Sequence, residues 1–211
     1  MIFRQLYEPV SSTYTYLIGC EETGHAILID PVIASMERDL AEMKRLGLTL
    51  AYTVDTHIHA DHITAALEMK SAIGSKIAAP AYDHLPCTDV GIEEGKPFQV
   101  GSITLQPLHT PGHTDGHFAY LFNDRVFTGD ALLIDGCGRT DFQNGAADAL
   151  YSGVRKKLFT LLPSECNLVL RKSFRKAKSA LNLGCSKEPE FLPHYGGCRT
   201  DIGYMKPRSQ R

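Results

Sequence analysis

Three histidines and one aspartate stand within six consecutive positions, 57–62, of this 211-residue chain. They follow an apolar run that is typical of a buried strand. Because alternate side chains of an extended chain point the same way, His57 and His59 can face one point in space. Asp61 and His62 then lead into the next helical pattern. Neutral imidazole and carboxylate groups are ligands of first-row divalent metals, so this cluster favours a metal site over a polar turn with incidental histidines.

Two later segments place further metal-binding side chains directly after strands. In the first, Pro111 and Gly112 fix a turn that can project His113 inward. In the second, Gly129 would let the backbone come close to a bound ion, and Asp130 would supply a carboxylate. Either segment alone would more often be structural. In this order after the histidine cluster, the two segments together predict a metal centre built from loops that follow strands.

The elements that must hold these loops alternate between strand and helix patterns. Apolar runs predict strands at 3–7, 13–18, 26–29, 48–54 and 76–79. Apolar residues at helical spacing predict helices at 36–46, 63–73 and 146–161. Turn residues at Gly101 and Asn123 predict two hairpins, formed by residues 98–108 and 118–127. We interpret the apolar stripes of these elements as core.

Length and composition indicate one domain with a sizeable core, since 43% of the residues are hydrophobic. A net charge of −2 argues against a general binder of polyanions. The first residues lack the features of a signal peptide, and no apolar run approaches the roughly 18 residues of a membrane span. We therefore expect a cytoplasmic protein with no membrane partner. The six cysteines form no Cys-x-x-Cys pair, which argues against structural zinc.

The charge is unevenly distributed along the chain. Residues 171–211 contain ten Lys and Arg against three Asp and Glu, a net of +7, so the preceding 170 residues carry −9. We therefore separate a basic tail, 166–211, which could pack in part on the rest of the chain. The basic run 171–178 could contact nucleic acid or an acidic partner. Such runs are more often solvated, and nucleic-acid binding is not expected.

The order T-H-x-H-x-D-H, T-P-G-H-T and F-T-G-D resembles the metallo-β-lactamase superfamily. This resemblance implies an α/β fold, an αββα four-layer sandwich with a metal site at one edge, for a catalytic domain at 1–165. Three longer runs, at 11–16, 57–64 and 130–143, resemble the persulfide dioxygenases, also called sulfur dioxygenases. The G-C-G-R-T-D-F sequence is the most specific part of this closer resemblance, which covers about residues 1–163.

The family resemblance implies an enzyme that holds one Fe(II) per chain with two histidines and one aspartate. By motif position these ligands are His57, His113 and Asp130. Two imidazoles and one carboxylate form a facial triad that leaves open positions for substrate and O₂. The implied reaction oxidises glutathione persulfide with O₂ and yields sulfite and glutathione. Dimers are common in the family, and the sequence leaves the oligomeric state open.

The remaining residues of the histidine cluster have two interpretations in the superfamily. His59, Asp61 and His62 would form a second metal site in its hydrolytic members. In the persulfide dioxygenases that second site is described as empty, so the same residues would orient ligands or bound water through hydrogen bonds.

Arg139 is the candidate residue for holding an anionic group of the substrate, because its guanidinium forks onto carboxylates. The alternative is a structural salt bridge with Asp135 or Asp141. Cys137, which stands between two glycines, is expected to pack rather than to meet the substrate.

The chain departs from the family after Pro163, where a short P-G/A-H-D-Y motif is expected and residues 167–174 stand instead. A histidine that would complete the second metal position is therefore missing there, and His194-Tyr195 comes about twenty residues late. Two alternatives stay open. One is a zinc-dependent thioester hydrolase of the glyoxalase II type, although Ile63-Thr64 replaces the Gly-Gly usual in those hydrolases. The other is a catalytically impaired remnant that still binds metal.

Overall fold

The computed structural model describes residues 1–134, 136–161, 167–169 and 171–172. Their contacts divide the chain into two compact units, Met1–Pro107 and a second unit that begins at Leu108. Strands and helices occur in both units, as expected for an α/β protein. The division into a domain at 1–165 and a tail at 166–211 stays a prediction.

The N-terminal unit is built on a six-stranded mixed sheet whose strands follow the order of the chain. They are β1 (Ile2–Glu8), β2 (Thr13–Gly19), β3 (His25–Ile29), β4 (Thr49–Val54), β5 (Lys76–Pro80) and β6 (Val90–Ile92). The first three strands pair antiparallel, and β3 to β6 pair parallel. Because parallel neighbours require a crossover connection, α1 (Met36–Arg45) joins β3 to β4 and α2 (Ala66–Ile73) joins β4 to β5. Short 3-10 helices lie at Ile33–Ser35 and Ala81–Asp83.

A hairpin follows, and its second strand extends two residues beyond the end of this unit. It consists of β7 (Phe98–Val100) and β8 (Ile103–His109), and it turns between them as the sequence predicted. Phe98 packs edge to face on Tyr52 of β4, with ring centroids 5.1 Å apart. Apolar side chains from the sheet and from both helices form a core that contains Leu17, Ala26, Leu28, Met43, Leu50, Ala65 and Met69.

The helix α2 begins three residues later than the prediction of 63–73. The backbone before it is paired instead with the segment that follows β3. The Ile33 N–H donates to the Ile63 carbonyl at 2.9 Å, and the Ala65 N–H donates to the Pro31 carbonyl at 2.9 Å. These long-range bonds satisfy groups that a first helical turn would leave unpaired, and they fix the chain that leads out of the histidine cluster.

The C-terminal unit contains a small sheet. β9 (Phe118–Phe122) and β10 (Arg125–Phe127) pair antiparallel, and β12 (Asn167–Val169) runs parallel to β10. A separate pair is formed by β11 (Leu133–Ile134) and β13 (Arg171–Lys172). The segment that departs from the family therefore still supplies strands. His194-Tyr195 and the basic run beyond residue 172 lie outside the described residues.

One continuous helical region follows the loops of this unit, close to the predicted 146–161. It begins as α3 (Ala147–Gly153), continues as a π-helix over Val154–Leu158, and ends in a 3-10 turn over Phe159–Leu161. It packs on β9 and β10 through Ala119, Val126, Leu150, Val154 and Leu158. In the part of the chain that the structure describes, no helix has the length and apolar content needed to cross a membrane.

Candidate metal centre

The carboxyl ends of β3 and β4 bring the first polar groups together. The two strands run parallel with Ile29 beside Val54, so the residues that follow them lie at one edge of the sheet. Asp30 follows β3, and the segment from Asp55 to His57 follows β4. Asp30 has a φ of 50°, a left-handed conformation that aspartate tolerates better than most residues. Parallel α/β sheets commonly bind ligands at this edge.

The buried carboxylate of Asp30 organises this edge. It accepts the Thr56 backbone N–H at 2.8 Å, the Thr56 hydroxyl at 2.9 Å and the Nε2–H of His59 at 3.1 Å. Burial alone would raise the pKa of Asp30, but the nearby His59 imidazole and the hydrogen bonds from Thr56 lower it. The carboxylate is therefore ionised, and it fixes both neighbours.

The same network sets the tautomer of His57. Since the Thr56 hydroxyl donates its hydrogen to Asp30, its oxygen accepts the Nδ1–H of His57 at 2.9 Å. Nε2 of His57 then carries the lone pair that a metal requires. Ligating histidines typically donate the N–H of their other ring nitrogen to a fixed acceptor of this kind. The tautomer of His57 is therefore the one that its predicted role as a metal ligand requires.

The structure brings His59, Asp61 and His62 together. Each offers one ligand atom, and these atoms lie within 4.8 Å of one another. The ring centroid of His59 is 4.2 Å from those of both His57 and His62, and Nδ1 of His62 is 3.3 Å from the Asp61 carboxylate. This geometry suits a cation as well as a hydrogen-bonded network, so the predicted role of the three residues stays a prediction.

A second buried carboxylate, Asp55, lies beside Asp30. Burial raises the pKa of Asp55 to about 7, with the Asp30 carboxylate adding to this rise and His59 opposing it. One oxygen of Asp55 accepts the Thr64 hydroxyl at 3.0 Å. Next to these groups the N-terminal unit has a cavity of about 280 Å³, whose apolar wall includes Ile58, Ile63 and Leu85. There is thus space for a small ligand group directly beside the imidazoles.

In the C-terminal unit, the structure places His113 next to Asp130. Nε2 of His113 lies 3.4 Å from Oδ2 of Asp130, and its Nδ1–H donates to the Arg139 carbonyl at 2.8 Å. The lone pair of Nε2 therefore faces a carboxylate, an arrangement that a shared cation stabilises. Imidazole nitrogen and carboxylate oxygen are suitable donors for Fe(II) or Zn(II), so the residues present fit a divalent metal. Because His57 belongs to the N-terminal unit, the complete three-residue set stays a prediction.

Two glycines explain how these ligands are held. Gly112 has a φ of 129°, and a Cβ there would lie 2.3 Å from the backbone nitrogen of Leu150, so the loop before His113 can sit directly on α3. Gly129 has a φ of 49° and opens the 3-10 turn Gly129–Ala131, which carries Asp130. Gly112 therefore admits no Cβ, and the left-handed conformation at Gly129 is one that glycine adopts without strain.

The side chain of Arg139 forms the salt bridge with Asp141 that was the alternative to a substrate contact. Its Nε and Nη2 atoms donate to the two carboxylate oxygens of Asp141 at 2.8 and 3.1 Å, and the guanidinium lies 5.5 Å from the Phe142 ring centroid. The other considered partner, Asp135, lies outside the described residues. Cys137 packs against the core of the C-terminal unit, as expected. The substrate role of Arg139 stays a prediction.

Sequence reasoning missed three groups that hold the ligands in position. These are the Asp30 carboxylate, the Thr56 hydroxyl and the buried His117 imidazole, whose Nε2 accepts the Asp130 N–H at 3.0 Å. The sequence did contain cues, since Thr56 directly precedes the cluster and His117 follows His113 by four residues. Neither cue states which distant partner is bound.

Changing Asp30 to Asn is expected to lower the free energy of unfolding by about 1–2 kcal/mol, because an amide NH₂ would face the donors of Thr56 and His59 in a buried site. Urea titration of the metal-free protein measures this effect. Asp124→Asn is the control, since that side chain is 46% exposed and pairs only loosely with Arg125. Equal stability of the two variants would contradict the organising role of Asp30.

Comparisons with known proteins identify the family of this chain. A model of the metallo-β-lactamase superfamily matches residues 9–170. The mitochondrial persulfide dioxygenase ETHE1 of Bos taurus is 46% identical over 168 residues, 79% of this chain and 66% of the relative. A hydroxyacylglutathione hydrolase of Rhodospirillum rubrum is 38% identical over 151 residues, 70% of this chain and 57% of the relative. The chain thus spans about two thirds of the first of these relatives and less of the second.

A solved structure extends the similarity to three dimensions. The crystal structure of ETHE1 from Myxococcus xanthus superposes with a TM-score of 0.84 at 41% identity, and the match covers 99% of this chain and 93% of that one. Because the superfamily model covers well over half of the sequence, the family is established. The chain therefore belongs to the metallo-β-lactamase superfamily and has its α/β fold.

Proposed function

We propose that this chain is an Fe(II)-dependent persulfide dioxygenase that oxidises glutathione persulfide with O₂ to sulfite and glutathione. The observation that carries the proposal is the 46% identity to a protein named as a persulfide dioxygenase, over 168 residues. The similarity to M. xanthus ETHE1 supports it, because that match covers nearly the whole of both chains. Iron, rather than zinc, is proposed because O₂ chemistry requires a redox-active metal.

The proposed iron ligands are His57, His113 and Asp130. Supporting this set, both imidazoles donate Nδ1–H to a fixed oxygen, the Thr56 hydroxyl for His57 and the Arg139 carbonyl for His113. Both rings therefore carry their proton on Nδ1 and leave the lone pair of Nε2 available, which is the form that binds metal. When bound, the iron supplies the redox chemistry and open coordination positions. The protein supplies placement of the sulfur and of O₂.

For the substrate, we propose that Arg139 holds a carboxylate of glutathione persulfide. The guanidinium already binds the Asp141 carboxylate through two parallel hydrogen bonds, the bidentate geometry that binding a substrate carboxylate requires. Its partner Asp141 is 74% exposed, and an ion pair so accessible to water is readily exchanged for another. The backbone carbonyl of Arg139 would at the same time keep His113 oriented.

Arg139→Ala is expected to raise KM for glutathione persulfide about tenfold with little change in kcat, since the lost contact is made equally in the ground state and the transition state. Steady-state oxygen consumption measures both constants. The matched control is Arg45→Ala, because Arg45 is also 63% exposed and also pairs with a nearby carboxylate. A KM that stays at the wild-type value in the Arg139 variant would remove this residue from the substrate site.

A zinc-dependent thioester hydrolase of the glyoxalase II type is the second candidate. It is favoured by the grouping of His59, Asp61 and His62 within 4.8 Å and by the 38% identity to a hydroxyacylglutathione hydrolase. Paired metals in such a site would activate a water for hydrolysis. Against it, residues 167–174 contain no histidine, although one expected there would complete the second metal position.

The deciding experiment is oxygen-electrode turnover of glutathione persulfide by the iron-loaded full chain, with metal content measured on the same sample. We expect persulfide-dependent O₂ uptake, sulfite as product and about one iron per chain. About two zinc ions per chain with hydrolysis of a glutathione thioester would favour the hydrolase instead. Iron binding without O₂ uptake would identify a catalytically impaired remnant.

The cytoplasmic location and the homodimer stay predictions. The mammalian relatives are named mitochondrial, which is a statement about those proteins. Cell fractionation and light scattering of the purified chain would test the two predictions separately.

A further inference from the structure

His117 is a fully buried histidine outside the proposed ligand set. It lies in the C-terminal unit at the start of β9, and none of its surface is exposed. Both of its ring nitrogens form hydrogen bonds. Nε2 accepts the backbone N–H of Asp130 at 3.0 Å, and Nδ1 lies 2.9 Å from the hydroxyl oxygen of Thr110.

These partners fix the tautomer of His117. A ring nitrogen accepts a hydrogen bond only when it carries no proton, so Nε2 is bare. Nδ1 is then the protonated nitrogen, and it donates to Thr110. The ring is therefore neutral, with its acceptor nitrogen directed at a backbone group of the predicted carboxylate ligand.

The position of His117 links both metal-binding segments of this unit. The Thr110 N–H donates to the His117 carbonyl at 2.9 Å, so the pair closes the base of the loop that carries His113. On the other side, Asp130 is held through its N–H by His117 and through its carbonyl by the Gly138 N–H at 2.7 Å. One side chain thus connects the His113 loop to the Asp130 turn.

We infer that His117 is a positioning residue that holds Asp130 for metal binding, through the hydrogen bond from the Asp130 backbone to Nε2. The inference rests on the proposed function in one respect, namely that Asp130 is a ligand. Without the Nε2 acceptor, the half-buried N–H of Asp130 loses this hydrogen bond, and the 3-10 turn that positions the carboxylate can shift.

Two substitutions at position 117 and one at position 110 separate the two hydrogen bonds of the ring. The amide of a glutamine reaches about as far as Nε2, so His117→Gln can keep the acceptor for Asp130 while it gives up the bond to Thr110. The shorter amide of an asparagine reaches about as far as Nδ1, so His117→Asn can keep the donor to Thr110 and loses the acceptor for Asp130. Thr110→Val removes the hydroxyl partner and leaves the His117 ring in place.

The readout is the affinity of the full-length protein for Fe(II), measured anaerobically by competition with a chromophoric chelator, and the visible spectrum of the protein titrated with Co(II). We expect His117→Asn to bind Fe(II) at least about tenfold more weakly than wild type, the usual effect of losing a partner outside the ligand set. His117→Gln and Thr110→Val should stay within about threefold of wild type. The Co(II) spectrum should change in the Asn variant alone.

Any result in which the Asn variant binds as tightly as the Gln variant, or more tightly, overturns the inference. A role in packing would weaken binding in both variants alike, and a role through the bond to Thr110 would weaken it more in the Gln variant. Thermal unfolding of the metal-free variants shows whether each variant folds. If the Asn variant does not fold, a Gln variant that binds more weakly than Thr110→Val also overturns it. Wild-type protein that binds Co(II) but not Fe(II) would count against the iron enzyme and still allow the comparison. Wild-type protein that binds neither ion would overturn both proposals.

Discussion

Replacing His113 with alanine is expected to abolish stoichiometric Fe(II) binding. The variant would retain only two of the three proposed ligands, His57 and Asp130. It would also lose the ring that lies 3.4 Å from the Asp130 carboxylate and donates to the Arg139 carbonyl. Loss of a partner outside the ligand set typically lowers metal affinity about 10–100-fold, so loss of a ligand should exceed about a hundredfold. O₂ uptake with glutathione persulfide should fall with the bound iron.

The measurement is anaerobic loading with Fe(II), removal of unbound metal and metal analysis of the protein. His109→Ala provides the control, because His109 stands four residues earlier on the same segment, and its Nε2 forms a hydrogen bond with the Asp115 carbonyl at 2.8 Å while its ring packs on Phe118. The control variant should retain iron. Full iron in the His113 variant, or an equal loss in the His109 variant, would show that the ligand assignment is wrong.

Much of the local framework could be predicted from the sequence. The strand before the histidine cluster was placed at 48–54 and is observed at Thr49–Val54, because a short apolar run next to a polar cluster is a local signal. The loop predicted at Pro111 and Gly112, with His113 directed inward, is also observed, since the chain bends there and His113 is buried. Both predictions succeeded because they depend only on residues that are adjacent in the sequence.

The parts that could not be predicted depend on contacts between distant segments. Asp30 accepts the Thr56 N–H because β3 and β4 run parallel with their ends in register. The residues around Asp30 do not indicate that pairing. The late start of α2 has the same origin, since the Ile63 carbonyl bonds to a residue thirty positions earlier. Likewise His117 accepts a backbone N–H. Because nearly every residue type has such a group, the sequence does not identify the partner of His117.

Arg139 shows a further limit of sequence reasoning. Its side chain was selected for its charge, yet the contact that the structure places at the candidate centre is made by its backbone carbonyl, which accepts the Nδ1–H of His113. Every residue type offers such a carbonyl, so only the path of the chain reveals it. That path runs through Gly138. The backbone of the G-C-G-R run therefore matters more for the candidate centre than the charge of Arg139 does.

Gly138→Ala is accordingly expected to damage both stability and metal binding. A Cβ at this position would lie 2.5 Å from the Asp130 carbonyl oxygen and 2.7 Å from Nδ1 of His113. Neither neighbour can move without cost, because one is backbone and the other is held by the Arg139 carbonyl. Forcing a methyl group into such a contact should lower the free energy of unfolding by about 2–3 kcal/mol. Displacement of the His113 ring should weaken Fe(II) binding by about 10–100-fold.

Gly136 makes the test specific, since it lies two residues earlier in the same run and a Cβ there would meet nothing within 4 Å. Gly136→Ala should therefore change the free energy of unfolding by no more than about 0.5 kcal/mol and leave Fe(II) affinity at the wild-type value. Urea titration of the metal-free proteins and chelator competition measure the two quantities independently. A Gly138 variant that is destabilised yet binds Fe(II) normally would mean that His113 can shift without losing the metal. In that case the close approach of Gly138 serves folding alone, and its expected effect on metal binding would be wrong.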